Sequence, residues 1–147
     1  MMARGGIRLT CGLMVGLLLT GCNSGQESLP PDDAAEQVRR NSVEEVAELL
    51  RLYKANHSNK APAKASDLAS YEVGFPSGFA KVKQGSIVVI WSTPFVDGAS
   101  DKIIAYEKEA PEAGGYVLMQ DGTTVKKLTT EAFKTAPKAA GSGSTAK

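Results

Sequence analysis

The stretch that decides the fold is Gly114-Gly115-Tyr116-Val117-Leu118-Met119-Gln120-Asp121-Gly122-Thr123-Thr124-Val125-Lys126-Lys127-Leu128. Two runs rich in β-branched and aromatic residues flank an Asp-Gly pair, the dipeptide that suits a tight turn between antiparallel strands. Residues 116–120 and 123–128 are therefore expected to form a hairpin. Upstream, Lys102-Ile103-Ile104-Ala105-Tyr106-Glu107 reads as another strand. Ser86-Ile87-Val88-Val89-Ile90-Trp91 reads as a further one, and its apolar side chains on both faces predict a central position. The turn-rich Val96-Asp97-Gly98-Ala99-Ser100-Asp101 joins these two. After the hairpin, Thr129 or Thr130 caps a short helix around Glu131-Ala132-Phe133 that Pro137 closes.

Ahead of the strands the periodicity changes from two to 3.6. Val46, Leu49, Leu50 and Tyr53 fall at i, i+3, i+4 and i+7, one face of a helix, and Val38 and Ser42 extend the stripe backward. Glu44, Glu45, Glu48, Arg51 and Lys54 take the other side. Two capping boxes, Asp33 with Glu36 and Ser42 with Glu45, compete for the start of the helix; the expectation is one long helix from about 33 to 56, with room for an irregularity near Asn41-Ser42. Asn56 is the expected left-handed cap. Between helix and strands, Ser66 is expected to cap a short turn that carries Leu68 inward. Gly74, Pro76 and Gly78 read as breakers that leave 74–85 irregular. The expected class is α+β: one long N-terminal helix packed on a small antiparallel sheet of about four strands, with a short C-terminal helix.

The chain has 147 residues, enough for one domain. A formal charge of +1 argues against nucleic acid as a partner. Two cysteines and one histidine leave no disulfide framework, four-ligand zinc site or obvious triad. The first 22 residues carry Arg4 and Arg8, then an apolar run through Leu17-Leu18-Leu19 that is too short to span a bilayer and matches a secretory leader.

Leu19-Thr20-Gly21-Cys22 resembles the lipobox of bacterial lipoproteins. The resemblance implies cleavage between Gly21 and Cys22 and acylation of the Cys22 thiol. Two to three acyl chains anchor stably where one is marginal. The alternatives are a plain secretory leader with an incidental cysteine, or an N-terminal anchor helix. On the lipoprotein reading Cys11 leaves with the leader, so the mature domain has no free thiol, and loss of Arg4 and Arg8 takes the formal charge from +1 to −1. Asn23 resembles the outer-membrane class, so the expected location is the envelope, facing the periplasm. The expected organisation is a leader at 1–21, the lipidated Cys22 and a Pro-containing tether at 22–32, a domain at 33–137 and a disordered tail at 138–147.

The helix ending Leu50-Arg51-Leu52-Tyr53, the Pro62…Asp67-Leu68 linker and the late Gly-Gly-Tyr-Val-Leu-Met-Gln-Asp-Gly run are similar to the soluble half of type IV pilin-like proteins and type II secretion pseudopilins. That resemblance implies a long helix on a small sheet and a place beside a secretion or pilus-like apparatus. The chain departs from the family in lacking a Gly-Phe cleavage point and an apolar helix continuous with the domain.

Candidate chemistry is sparse. Asp97 and Asp101, with Ser100, could offer oxygens to calcium, but calcium takes six to eight and Asp-Gly turns are common without metal. His57 sits at a helix end without a second ligand. Glu107 and Glu109 are expected on one solvated strand face, near Lys102 or Lys126, rather than opposed across a cleft as glycoside hydrolysis requires. Trp91 is expected in the core. The expected function is a lipid-anchored, non-catalytic envelope protein without cofactor that acts by protein contact. The alternative is a small ligand- or metal-binding envelope module, marked by an exposed groove lined by Trp91 or Tyr116.

Overall fold

The computed structural model describes residues 31–141, with side chains from 34 onward. The leader, Gly21, Cys22 and the tether through residue 30 lie outside the described residues. The fold is α+β. Helix α1 (Pro31–Asn56) is followed by a 3-10 helix (Ala65–Tyr71) and α2 (Pro76–Lys83). Strands β1 (Ile87–Val89) and β2 (Ile103–Glu107), a single-turn α3 (Ala110–Ala113), β3 (Gly115–Met119), β4 (Val125–Leu128) and α4 (Thr130–Thr135) complete it. The strands form one antiparallel sheet in sequence order, β1-β2-β3-β4.

Helix α1 forms for the reason its spacing implies. Ser42, Val43, Val46, Ala47, Leu49 and Leu50 are buried against the sheet and the linker helices. At roughly 1.5–3 kcal/mol for each large side chain removed from water, this face outweighs any local preference. The helix runs without the irregularity expected near Asn41. Ser42 Oγ donates to Val38 O at 2.9 Å, within the helical ladder. Val38 does not extend the stripe; it is 62% exposed, because α1 projects past the core over its first turns. Glu45 leaves the solvated face, whereas Glu48 pairs with Arg51 and Arg40 with Glu44 at 2.8 Å. The helix ends through Ser58 and Asn59 in the left-handed region (φ 51° and 63°), while Asn56 remains helical and its Nδ2 donates to Leu52 O at 2.9 Å.

The linker holds more structure than its glycines and prolines suggest. The 3-10 helix is capped by Asp67, not Ser66: Asp67 Oδ2 accepts from Ala63 N (2.9 Å) and Lys64 N (3.2 Å). The breakers Pro76 and Gly78 lie inside α2. Pro76 sits at its first turn, where the missing N–H costs nothing. Gly78 is the point of closest approach to α1. A Cβ there would sit 2.7 Å from Glu45 Cβ and 3.0 Å from Val46 N. Glu45 Oε2 accepts from Gly78 N at 2.6 Å, so a carboxylate from α1 closes the N-terminus of α2. The paired helices bury Phe79 and Val82.

Strand β1 is an edge strand, contrary to the central position its composition predicts. Ile87 and Val89 enter the main core, and Val88 on the reverse face is half-buried. In β2 a bulge between Ile103 and Ala105 turns Ile104 and Ala105 both toward α1 and leaves Ile103 on the other face. That face is covered by α3 and α4: Phe133 packs on Tyr106 (ring centroids 5.0 Å apart) beside Val117, Met119 and Ala110. Thr129 caps α4, accepting from Ala132 N at 3.2 Å. Residues 138–141 belong to the folded domain and not to a disordered tail. Ile103 N donates to Pro137 O (3.0 Å), Ala139 N donates to Ile103 O (2.9 Å), and Ala139 is buried in the main core.

Candidate functional site

Two ionic contacts fasten the projecting half of α1 to the sheet. Tyr116 on β3 and Lys127 on β4 are cross-strand partners, so their side chains rise together on the α1 face. Both reach Glu36: Tyr116 Oη donates to Oε1 at 2.9 Å, and Lys127 Nζ bonds the same oxygen. One turn along α1, Arg39 grips Glu107 at the end of β2 in a two-pronged contact, Nε to Oε1 at 2.8 Å and Nη2 to Oε2 at 2.7 Å. Tyr116 N also donates to Glu107 Oε2 at 2.7 Å. Gly115 makes room for this carboxylate, since a Cβ would come 2.7 Å from Oε2.

The protonation states follow from these contacts. The Lys127 ammonium, then the Tyr116 hydroxyl, holds Glu36 below the usual carboxylate range, and Glu36 in turn raises Lys127. The bond to Glu107 raises Arg39. Burial and the neighbouring Glu36 push the Tyr116 phenol up. Glu36, Arg39, Tyr116 and Lys127 are each biased toward their ordinary state at neutral pH. Such an arrangement holds an element in place; a proton-transfer site needs a group poised near the working pH.

Beside this clamp lies an open groove of about 440 Å³ between α1, the end of α2 and β1, with Val38 and Ile87 as its apolar lining and Lys81, Lys108 and Glu109 at its rim. Neither Trp91 nor Tyr116 lines it. A second, much smaller cavity of about 20 Å³ lies among Leu50, Val89, Ile104, Phe95 and Thr93, with space for a single water. The Thr93 hydroxyl is buried there without a hydrogen-bond partner.

The residues singled out from sequence are dispersed. Gly21 and Cys22 lie outside the described residues. Asp97 and Asp101 are both exposed on the loop before β2, and among the described residues no group of three or more His, Cys, Asp or Glu side chains is placed to hold a metal ion. His57 stacks on Tyr53 (centroids 3.9 Å, planes 8° apart) and its Nδ1 donates to Tyr53 O at 2.9 Å, which closes α1. Glu107 and Glu109 do not share a solvated strand face. Glu107 is held by Arg39 with its side chain 13% exposed, and Glu109 has left the strand to begin α3. Lys126 Nζ bonds Ser100 O instead of a carboxylate. Trp91 is half-buried at the border of the main core. The Glu36–Tyr116–Lys127 and Arg39–Glu107 contacts went unread in the sequence because their members lie 68 to 91 residues apart. Only the pairing of Tyr116 with Lys127 across the predicted hairpin could have pointed to them.

No family model matches the chain, and neither a curated protein nor a solved structure resembles it significantly.

Proposed function

We propose that this is a lipid-anchored protein of the bacterial cell envelope that works by contact with another protein and carries no catalytic chemistry. The observation that carries the reading is Leu19-Thr20-Gly21-Cys22 directly after a basic, then apolar, leader. The geometry of the domain is consistent with it. Eight residues separate Cys22 from the first residue of α1, a reach of at most about 30 Å, which keeps the domain near the lipid surface. The part of α1 nearest the anchor is the part clamped by Glu36 and Arg39. A pull on the tether would therefore load the clamp before the core. The described residues contain no helix long and apolar enough to cross a membrane. The resemblance to pseudopilin soluble domains supports a partner within a secretion or pilus-like apparatus, an inference by analogy of fold.

The second reading, a small ligand-binding envelope module, rests on the groove beside Val38. Membrane fractionation separates anchor from incidental cysteine: the wild-type chain should sediment with membranes and Cys22→Ala should become soluble. A Cys22→Ala chain that stays in the membrane fraction removes the anchor. Photo-crosslinkers at exposed Val38 and Val73 on the anchored chain should yield a discrete protein adduct, and their failure in intact cells removes the contact role.

A further inference from the structure

We propose that the edge of β2 beyond the end of β1 is a strand-addition site, filled in cis by the chain's own residues 137–141 and open to a partner's extended segment of the same chemistry. Strand β1 leaves β2 at Ile104, whose O accepts from Ile90 N at 2.8 Å. One residue earlier the C-terminal segment takes over, running parallel to β2 with both peptide groups of Ile103 engaged, to Pro137 O and from Ala139 N. The site selects its occupant. Ala139 is 5% exposed among the main-core residues, so the slot takes a methyl-sized side chain. At Gly141 an added Cβ would collide with Trp91 O, so that position takes glycine alone. The same Cβ position lies 3.7 Å from Thr93 Oγ1, the unpartnered buried hydroxyl, which lines the small cavity with Leu50, Val89 and Ile104. The slot thus has a backbone ladder, a small-residue pocket, a glycine filter and an unused polar group.

The occupant is held lightly. Among the described residues it is held by two backbone bonds, one buried methyl, the close approach of Gly141 to Trp91 O, and Lys138, whose Nζ bonds Phe133 O at 3.3 Å and lies over the Phe133 ring. A Pro-X-Ala-X-Gly segment of another protein would make the same contacts, as in other sheet-edge recognition. This site gives a place to the protein contact proposed above and rests on that reading for its biological use. Peptide binding is measured identically with or without lipid, so its failure leaves the anchor untouched, and failure of the anchor leaves peptide binding to be read.

The probe is a fluorescent, C-terminally amidated peptide, Pro-Lys-Ala-Ala-Gly-Ser-Gly-Ser, titrated against the full chain by anisotropy. The chain carrying Gly141→Val, which cannot seat its own segment, should bind it at least about tenfold more tightly than wild type, which competes in cis. The peptide with valine in place of its first glycine should bind neither. A cooperatively folded Gly141→Val chain that binds no more tightly than wild type overturns the proposal. Hydrogen exchange on the unaltered chain decides it should that variant not fold. The amides of Ile103 and Ala139 should exchange about a hundredfold faster than that of Ile90. Equal protection of the three would show a segment that does not leave the slot, and the proposal would fall.

Discussion

Gly78→Ala should destabilise the domain, although the same change in an open helix would stabilise it. Helix preference alone favours alanine by about 1 kcal/mol. At Gly78, however, the new methyl carbon would lie 2.7 Å from Glu45 Cβ, 3.0 Å from Val46 N and 3.1 Å from Glu45 C. Carbon pairs rest at about 3.5–4.0 Å. The atoms in the way are backbone and Cβ atoms of α1, so no side chain can swing aside. Helix α2 must move outward by roughly 1 Å, taking Phe79 and Val82 from their packed positions. Overpacking of this kind costs about 1–3 kcal/mol. Stretching the 2.6 Å bond from Gly78 N to Glu45 weakens a charge-assisted contact by about 1 kcal/mol more. After the helix preference is subtracted, the net loss is about 2 kcal/mol. For a domain of this size that lowers Tm by roughly 8 °C. Calorimetry and urea titration of the wild type, Gly78→Ala and the exposed control Ser77→Ala measure it, the control staying within about 0.5 kcal/mol. A Gly78→Ala melting point at or above wild type would refute the close approach of the two helices.

Arg39→Ala should cost about 1–2 kcal/mol, between an exposed pair and a buried one, because Glu107 at 13% exposure is left with Tyr116 N as partner. A double-mutant cycle with Glu107→Gln in urea should show coupling of the two sites. Thr129→Ala should remove the cap of α4 and cost about 1 kcal/mol by the same assay. The urea midpoint should also fall at both ends of the pH range. Glu36 is held low by Lys127 and Tyr116, so its contribution is present at neutral pH and lost as pH drops through and below about 4. Asp121 acts in the same direction: burial alone would raise it, but bonds from Thr124 and Thr123 hold it low. Lys127 is raised by Glu36, so its contribution persists through neutral pH and disappears as pH rises beyond about 10.4. Glu36→Gln should flatten both limbs, and an unchanged profile would show that the clamp is not formed.

The parts of the fold that could be read in advance are those whose signals are local. Val46, Leu49 and Leu50 sit on one helical face, and Asp121-Gly122 turns the hairpin with Gly122 at φ 74°. What escaped is settled by tertiary contact. Gly78 reads as a breaker because its purpose, room for Glu45, lies 33 residues away. Strand β1 looks central by composition. Yet its covering comes from α1 and α2 on one face, not from a second neighbouring strand, and apolarity alone cannot tell these apart. Lys138-Ala139-Ala140-Gly141 looks structureless because its small residues carry no pattern, though smallness is what admits Ala139 beside Ile103 and Gly141 beside Trp91. The clamp escaped for a related reason. Glu36 and Arg39 look like ordinary members of a charged helix face until β2, β3 and β4 bring Glu107, Tyr116 and Lys127 beneath them.

The lipid anchor is tested most directly by intact-mass spectrometry of the chain purified from bacterial membranes. The account predicts a polypeptide beginning at Cys22 and heavier than residues 22–147 by a thioether-linked diacylglycerol, with or without a further amide-linked acyl chain. A chain that keeps its leader, or that begins elsewhere with an unmodified thiol, would contradict it.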